Sequence, residues 1–217
     1  MSSCTVFCAG EFDTLVCPMQ ADELIIAADG GLQHLNKLGL QPTVILGDFD
    51  SLGYVPADAR VFPVEKDDTD SMLALRHGLE QGCSRFILYG ALDGPRHDHT
   101  VANYQALRFL ADRGATGYLV GKESIVTVIK NSKLVFPAGE GIFSAFCMGV
   151  DARGVTLQGF QYELENAELT GSFPLAVSNH FMGTPATVQV TDGTLLVFYP
   201  RSFGIIGSAP AEAAAQK

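Results

Sequence analysis

A short apolar run ends in two closely spaced carboxylates in the stretch TVILGDFDS, residues 43–51. The run 43–46 is typical of a buried strand, and Asp48 and Asp50 follow at its carboxyl end. In an extended segment, residues i and i+2 face the same side, so both carboxylates are expected to reach one hard cation. Open α/β sheets also bind their ligands at the carboxyl ends of their strands. The alternative is an acidic turn whose Asp side chains accept hydrogen bonds from nearby backbone N–H groups.

Short apolar runs alternate with helical patterns in the first part of the chain. The strand candidates are 5–9, 24–28, 43–46, 60–64, 85–89 and 117–120. The helix candidates are 32–38, 69–81 and 100–113. This alternation predicts an α/β N-terminal domain with a mainly parallel sheet and helices on both faces.

The pattern changes near residue 121, where helical periodicity stops and short β-type runs follow one another. These runs are 124–129, 133–136, 141–148, 154–159, 175–178, 187–190 and 194–199. Gly, Asn and Pro separate them, and strands at this spacing predict an all-β C-terminal sandwich. We therefore expect an α/β domain over residues 1–125, a β-sandwich over 126–207 and a frayed or disordered tail over 208–217.

The charge balance limits the partners that the chain can bind. Its 217 residues carry a formal net charge of −10, with 14 Lys and Arg against 24 Asp and Glu. A nucleic-acid-binding surface needs clustered basic residues, so we expect no nucleic-acid partner. A phosphorylated small molecule is compatible with this charge, because a bound divalent cation supplies the missing positive charge.

The cysteines and the apolar segments indicate an intracellular setting. The five Cys residues have no metal-ligand spacing, and Cys4 and Cys8 alternate as buried thiols of a strand do. No basic leader with an apolar core and no run of 18 apolar residues is present. We expect a cytoplasmic chain without membrane contact.

A second acidic segment, DDTD at residues 67–70, begins just before the predicted helix 69–81. A helix start favours Asp and Thr as N-cap residues and anions near its positive dipole end. Capping therefore accounts for Asp68 or Thr69. It does not require three acids, which repel one another unless a cation lies between them. Both capping and cation binding remain interpretations of this segment.

Two more strand-to-helix turns carry ligand-type residues. One is GPRHDH at residues 94–99, where the Arg can form forked bonds to phosphate and the helix start favours an anion. In the alternative, Asp98 caps the helix and Arg96 pairs with a surface acid. The other is ADGG at residues 28–31, whose glycines let backbone N–H groups approach a phosphate. Any such turn can contain Gly-Gly, and the chain has no P-loop sequence.

In a parallel sheet, all these turns are expected at the same edge. The turns at 29–31, 47–51, 66–70 and 90–98 follow strand candidates, so they lie at the carboxyl ends of the strands. Their side chains can then converge on one phosphate and metal site, which no single turn establishes alone.

Taken together, these motifs in this order and spacing resemble the thiamine pyrophosphokinase family. The resemblance extends to VSN at residues 177–179 and covers residues 25–200. It implies an N-terminal α/β nucleotide-binding domain, a C-terminal β-sandwich and a homodimer with thiamine bound between its subunits. It also implies transfer of pyrophosphate from ATP to the hydroxyl of thiamine, giving thiamine diphosphate and AMP, with Mg²⁺.

Under this resemblance, residues of the chain take specific roles. The metal ligands would be Asp48, Asp50 and Asp70. The catalytic groups would be Asp48, Asp70, Arg96 and Asp98, with Asp70 or Asp98 accepting the thiamine hydroxyl proton. ATP binding would fall to Asp29, Gly30, Gly31, Asp50, Ser51, Lys66, Thr69 and Arg96, and thiamine binding to Asp98, Ser178 and Asn179.

The chain departs from the family pattern at two places. Leu32-Gln33 stands where many members have Ala-Asn, whose Asn contacts the nucleotide. The chain also has no Trp, which some members place against thiamine. Phe181 and His180 are then the candidates for the aromatic surface.

Two other functions fit parts of the pattern. An Asp-x-Asp after a strand is also the arrangement of a Mg²⁺-dependent phosphohydrolase, with a phosphoaspartate at Asp48. That class leaves the Ser178-Asn179 region unexplained. The other alternative is a non-catalytic thiamine- or nucleotide-binding module, which the retention of Asp48, Asp50 and Asp70 disfavours.

Overall fold

The chain divides into two units in the computed structural model, which describes residues 2–50, 52–62 and 68–211. The first unit is Met1–Lys122 and the second is Glu123–Lys217. The division falls close to the predicted domain boundary at 125/126. Within the described residues, no helix is long and apolar enough to cross a membrane.

Strands and helices alternate along the first unit. Its strands are β1 Ser2–Phe7, β2 Leu24–Ala28, β3 Val44–Gly47, β4 Arg60–Val61, β5 Cys83–Tyr89 and β6 Thr116–Val120. Its helices are α1 Leu32–Leu38, α2 Asp70–Glu80 and α3 His97–Ala111. Each predicted helix and strand is present with ends that differ by a few residues, and the end of the candidate 60–64 lies outside the described residues.

The strands of this unit pair in parallel, in the order β6-β5-β1-β2-β3-β4. α1 packs against β1 and β2, α2 packs against β1, β2, β3 and β5, and α3 packs against β6 and α2. Crossovers between parallel strands are almost always right-handed, and the α1 connection runs in the opposite direction along the sheet from those of α2 and α3, so these helices are expected on opposite faces. The central strands are covered on both sides, since the residues of β5 from Phe86 to Tyr89 are each at most 3% exposed. The predicted α/β fold with helices on both faces is confirmed.

The strand order reverses at β1, which lies between β2 and β5. In open α/β sheets, ligands bind in the crevice beside such a reversal, at the carboxyl ends of the strands. Here the N–H groups of Cys8 and Gly10 donate to the carbonyl oxygens of Tyr89 at 2.8 Å and Gly90 at 2.9 Å. The two strand ends and the turns after them are therefore held together.

The second unit is all-β, and its strands pair antiparallel. They are β7 Ser124–Lys130, β8 Ser132–Phe136, β9 Glu140–Cys147, β10 Ala152–Gln158, β11 Leu164–Leu169, β12 Ala176–Met182, β13 Ala186–Gln189, β14 Thr194–Pro200 and β15 Ser208–Pro210. One ladder has the order β12-β9-β14-β7 and the other β11-β10-β13-β8-β15. Phe136 of the second ladder contacts the rings of Phe181 at 5.0 Å and Tyr199 at 5.1 Å in the first. The predicted sandwich is confirmed.

Two strands of this unit have no clear signal in the sequence. β11 has the polar sequence LENAEL and lies at a ladder edge, where its pairing with β10 is irregular. β15 pairs with β8 at Ser208–Pro210, inside the range 208–217 that the sequence predicts as a frayed or disordered tail, so that prediction is wrong for these three residues. In both cases a neighbouring strand supplies the hydrogen bonds, so the sequence of the segment itself does not indicate a strand. Residues 212–217 lie outside the described residues, and a disordered tail there stays a prediction.

Because the start of α1 packs closely against β1, a single methyl group added there should have a large effect on stability. A Cβ added at Gly31 would lie 1.8 Å from the carbonyl oxygen of Phe7. Because β1 is paired on both sides, Gly31→Ala should lower the free energy of unfolding by about 3 kcal/mol. Gly39→Ala is the matched control: Gly39 has a φ of 66° and open space around the added Cβ. Its backbone strain alone costs about 1 kcal/mol, and equal losses in urea unfolding would contradict the packing role of Gly31.

Candidate functional site

Asp48 and Asp50 lie in the turn after β3, on either side of Phe49. Phe49 has a φ of 63°, so this segment is not extended, contrary to the expectation. Its ring is 3% exposed, and this burial holds the backbone in the left-handed conformation. The Asp50 N–H donates to Oδ1 of Asp48 at 3.3 Å. Turn formation therefore accounts for one acceptor position of Asp48.

Asp29 approaches the same turn from the end of β2. It has a φ of 48° and is 5% exposed, and its Oδ1 atom has no hydrogen-bond partner within the described residues. Gly47, with a φ of 148°, permits the approach, since a Cβ there would lie 3.1 Å from the Asp29 backbone nitrogen. A buried polar atom without a partner is unfavourable, so this oxygen fits a site for a cation or a donor.

Asp29, Asp48 and Asp50 form an acidic cluster, with one oxygen of each within 4.8 Å of the others. Among residues 2–50, 52–62 and 68–211, this is the group of ligand-type side chains close enough to share a metal ion. Carboxylate oxygens are the ligands of hard divalent cations such as Mg²⁺. The Asp29 oxygen, which has no hydrogen-bond partner among the residues that the structure describes, fits such an ion. Two predicted metal ligands therefore lie together. The third member is Asp29, which the resemblance assigns to ATP binding, and not Asp70.

The residues of the acidic segment before α2 have different structural roles. Thr69 caps α2 by accepting a hydrogen bond from the Met72 N–H at 3.3 Å. Asp68 pairs with Arg76 at 2.8 Å, which offsets one of the negative charges. The capping interpretation is thus confirmed for Thr69, whose role in ATP binding stays a prediction.

Asp70, the first residue of α2, lies near the end of β1. Burial and then the nearby charge of Asp70 raise the pKa of the Cys8 thiol, just after β1, to about 12. Asp70 is therefore close enough to Cys8 for its charge to act on that thiol. The candidates Ser51, Lys66 and Asp67 lie outside the described residues.

Arg96 and Asp98 pair with each other where α3 begins. Nε of Arg96 donates to Oδ1 of Asp98 at 2.9 Å, and Nη2 donates to Oδ2 at 2.6 Å. Both side chains are exposed, and within the described part of the chain α3 has no side-chain cap. These bonds hold the pKa of Asp98 well below its usual range. The alternative interpretation is therefore right that Arg96 pairs with a surface acid, which is Asp98 itself, and wrong that Asp98 caps the helix.

The glycines of the ADGG turn are buried and serve packing. Asp29–Gly31 is a single 3-10 turn whose residues are all buried. The contact of Gly31 with Phe7 explains the absence of a side chain at this position. Backbone contacts of Gly30 and Gly31 with ATP stay a prediction.

Ser178 and Asn179 lie in the second unit, at an irregularity in the pairing of β12 with β9. Ser178 is exposed and has a φ of 55°, a conformation that is uncommon outside glycine and concentrates at functional sites. Asn179 is buried. Its Oδ1 accepts from the Tyr162 N–H at 3.0 Å, and its Nδ2 donates to the Tyr162 carbonyl at 2.7 Å. Asn179 therefore supports the bulge from which Ser178 projects.

The two candidates for an aromatic surface differ in exposure. Phe181 is 4% exposed and packs against Phe136 and Phe203. Its ring is committed to the core, so its candidacy as a stacking surface is wrong. His180 is exposed and stays a candidate.

One buried polar residue near the site was not expected from the sequence. Asn103 lies on the buried face of α3 with Ala106, Leu107 and Leu110. A lone Asn on an apolar helix face is the signal that could have revealed it.

The fold and the acidic cluster define the class of the protein: an α/β unit with three carboxylates gathered at the ends of β2 and β3, followed by an all-β unit. The family model of the thiamin pyrophosphokinase catalytic domain matches residues 18–119, and that of the thiamin pyrophosphokinase vitamin B1 binding domain matches residues 133–195. One model falls on each unit. The chain belongs to the thiamin pyrophosphokinase family, a family of enzymes.

Individual relatives agree with this assignment. The thiamine pyrophosphokinase of Bacillus subtilis strain 168 is 28% identical over 185 residues, 80% of this chain and 86% of the relative. A crystal structure of the Bacillus subtilis enzyme has a TM-score of 0.79 and 25% identity, covering 91% of this chain and 98% of that chain. The structure of thiamin pyrophosphokinase from Geobacillus thermodenitrificans has a TM-score of 0.73 and 25% identity, covering 99% of each chain.

The pairing of Arg96 with Asp98 predicts how Asp98 titrates. The pKa of Asp98 is lower in the folded state than in the unfolded state. The pairing therefore stabilises the fold fully at pH values above the unfolded-state pKa, and this stabilisation is lost as the pH falls through the folded-state pKa. Asp98 should therefore stay ionised at a pH of about 3.9, where a free Asp is half protonated. In Arg96→Gln its pKa should return to the usual range. Carboxyl ¹³C NMR titration measures both, and an ordinary pKa in the wild type would contradict the pairing.

Proposed function

We propose that this protein transfers pyrophosphate from ATP to the hydroxyl of thiamine, giving thiamine diphosphate and AMP, with Mg²⁺. The observation that carries the proposal is the acidic cluster at the carboxyl edge of the α/β unit. The cluster would repel ATP phosphates unless a divalent cation is bound between them. Family models of a catalytic and a vitamin B1 binding domain add independent support.

The Mg²⁺ ion would be held by Asp29, Asp48 and Asp50. When bound, it supplies positive charge that offsets the charge of the phosphate oxygens. The burial of Phe49 and the close contact at Gly47 support this assignment, because they hold the turns that carry these carboxylates. Such preorganisation matters because phosphoryl-type transfer depends mostly on positioning and charge.

Arg96 and Asp70 would serve the transfer step. Arg96 keeps guanidinium N–H groups for a phosphate beyond the two that bond Asp98. Because its bonds with Arg96 lower the pKa of Asp98, that carboxylate is a weak base. This favours Asp70 as the acceptor of the thiamine hydroxyl proton.

Thiamine would contact Ser178 at the bulge of the second unit, with Asn179 holding that bulge in place. A homodimer with thiamine bound between its subunits is part of the proposal. This part rests on the family resemblance.

The nucleotide product is the first test of the proposal. Attack of the thiamine oxygen on the β-phosphorus of ATP releases AMP, so AMP and thiamine diphosphate should form in equal amounts. Chromatography of a reaction of the full chain with thiamine, ATP and Mg²⁺ measures both. ADP with thiamine monophosphate would instead indicate a simple kinase, and phosphate release without thiamine a phosphohydrolase. Thiamine binding without AMP formation would indicate a non-catalytic module.

Loss of one carboxylate of the acidic cluster should abolish most turnover. Asp48→Asn removes a charge from the cluster with almost no change in shape, and kcat should fall by about 100-fold or more. Asp22→Asn is the matched control, because Asp22 is exposed and lies outside the cluster. Urea unfolding shows whether each variant is folded. A wild-type rate in folded Asp48→Asn would remove Asp48 from the proposed metal ligands.

A further inference from the structure

A hydrogen-bond chain joins the start of α2 to the turn after β5 through Asn103 of α3. Asn103 is 8% exposed. Its Nδ2 donates to the carbonyl oxygen of Ala91 at 2.7 Å, and its Oδ1 accepts from the Ser71 hydroxyl at 2.9 Å. Because a carbonyl oxygen only accepts, Ala91 fixes which end of the amide carries the nitrogen.

The direction of the remaining hydrogen bonds follows from the fact that the hydroxyl groups of Ser71 and Thr69 each have a single proton to donate. The single hydroxyl proton of Ser71 is used on Asn103, so the Thr69 hydroxyl must donate to Ser71 Oγ, 3.0 Å away. Thr69 Oγ in turn accepts from the Met72 N–H at 3.3 Å. All donors therefore point from α2 towards Ala91, and hydrogen bonds aligned in this way strengthen one another.

Both ends of the hydrogen-bond chain adjoin residues of the proposed site. Asp70 lies between Thr69 and Ser71 in the sequence. Ala91 opens the turn that leads to Arg96 and Asp98. A shift at either end would change the position of Asp70 relative to the Arg96–Asp98 pair.

Structural support alone explains this hydrogen-bond chain less well than a role in positioning the site residues does. Thr69 caps α2 without Asn103, so the cap does not depend on this hydrogen-bond chain. Asn103 also satisfies the buried carbonyl of Ala91, a backbone group that no substitution removes, so Asn103→Leu should lower the stability to some extent. The bond between Ser71 and Asn103 joins two side chains, and replacing both partners of such a bond by apolar groups is often nearly neutral for stability. A fully paired polar network instead selects one geometry.

We propose that Asn103 is a positioning residue that, through Ser71, holds Asp70 at a fixed place relative to Arg96 and Asp98. This inference rests on the proposed function, in which those residues serve the transfer step. A misplacement of about 1 Å can lower a rate by about 100-fold. Because Asp70 acts in the transfer step, kcat should fall more than KM rises when the hydrogen-bond chain is broken.

The kinetic test uses Asn103→Leu, Ser71→Ala and the double variant. Each single variant should lower kcat by about 10- to 100-fold and change the KM for thiamine by less than about threefold. The double variant should lose no more than the worse single variant, because both break the same hydrogen-bond chain. Ser71→Thr keeps the hydroxyl and should keep most of kcat.

Thr100→Ala is the matched control. The Thr100 hydroxyl lies 3.3 Å from the Leu92 carbonyl oxygen and 3.5 Å from the Arg96 carbonyl oxygen, and it can donate its proton to either. It therefore links the same helix to the same turn without reaching α2. Its kcat should stay within about twofold of the wild type. Urea unfolding of every variant confirms that the rates refer to folded protein.

Amide NMR supplies a readout that does not need the reaction. The Leu92 N–H shares a peptide group with the Ala91 carbonyl, so its chemical shift reports the bond from Asn103. Ser71→Ala should shift this resonance in the same direction as Asn103→Leu, although Ser71 lies on α2.

Normal kcat in folded Asn103→Leu, additive losses in the double variant or an unchanged Leu92 resonance in Ser71→Ala would each overturn the inference. A wild type that forms no thiamine diphosphate, combined with a shifted Leu92 resonance in Ser71→Ala, would overturn the proposed function. That result would still establish the coupling between α2 and the turn.

Discussion

The close approach of Gly47 to Asp29 is the contact on which the rest of the candidate site depends. The ends of β2 and β3 meet without a side chain between them, since a Cβ at Gly47 would lie 3.1 Å from the Asp29 backbone. This contact brings a buried carboxylate beside Asp48 and Asp50. A side chain at position 47 would require the two turns to move apart by a few tenths of an ångström, and the φ of 148° at Gly47 would add backbone strain.

Several features of this sheet edge are unfavourable for the fold itself. Asp29 and Phe49 both have positive φ, which costs about 1–3 kcal/mol for each. The Asp29 oxygen that finds no hydrogen-bond partner in the described part of the chain adds the cost of a buried polar atom, and neighbouring carboxylates repel one another. The apolar central strands offset these terms. Unfavourable contributions to the free energy of folding are therefore concentrated at this edge of the sheet. Such a concentration is common at ligand-binding sites.

The order of strands and helices is predictable because apolar runs and turn residues are local signals. The same signals indicate Asp48 and Asp50 at a strand end. The place of Asp29 beside them is not local, because it depends on β2 and β3 being neighbours. Asn103 is a similar case, since its partners Ala91 and Ser71 lie 12 and 32 residues away. The left-handed turn at Phe49 also needs tertiary burial, which a sequence pattern does not reveal.

Binding of Mn²⁺ to the full chain, followed by electron paramagnetic resonance of the free ion, tests most directly whether the acidic cluster holds a divalent cation. The wild type should bind one ion at this cluster. Asp29→Asn should weaken the affinity at least about tenfold, because its buried oxygen would be a ligand. Asp22→Asn should leave the affinity unchanged. Equal Mn²⁺ affinity in the wild type and in folded Asp29→Asn would contradict the assignment of this cluster as the metal site.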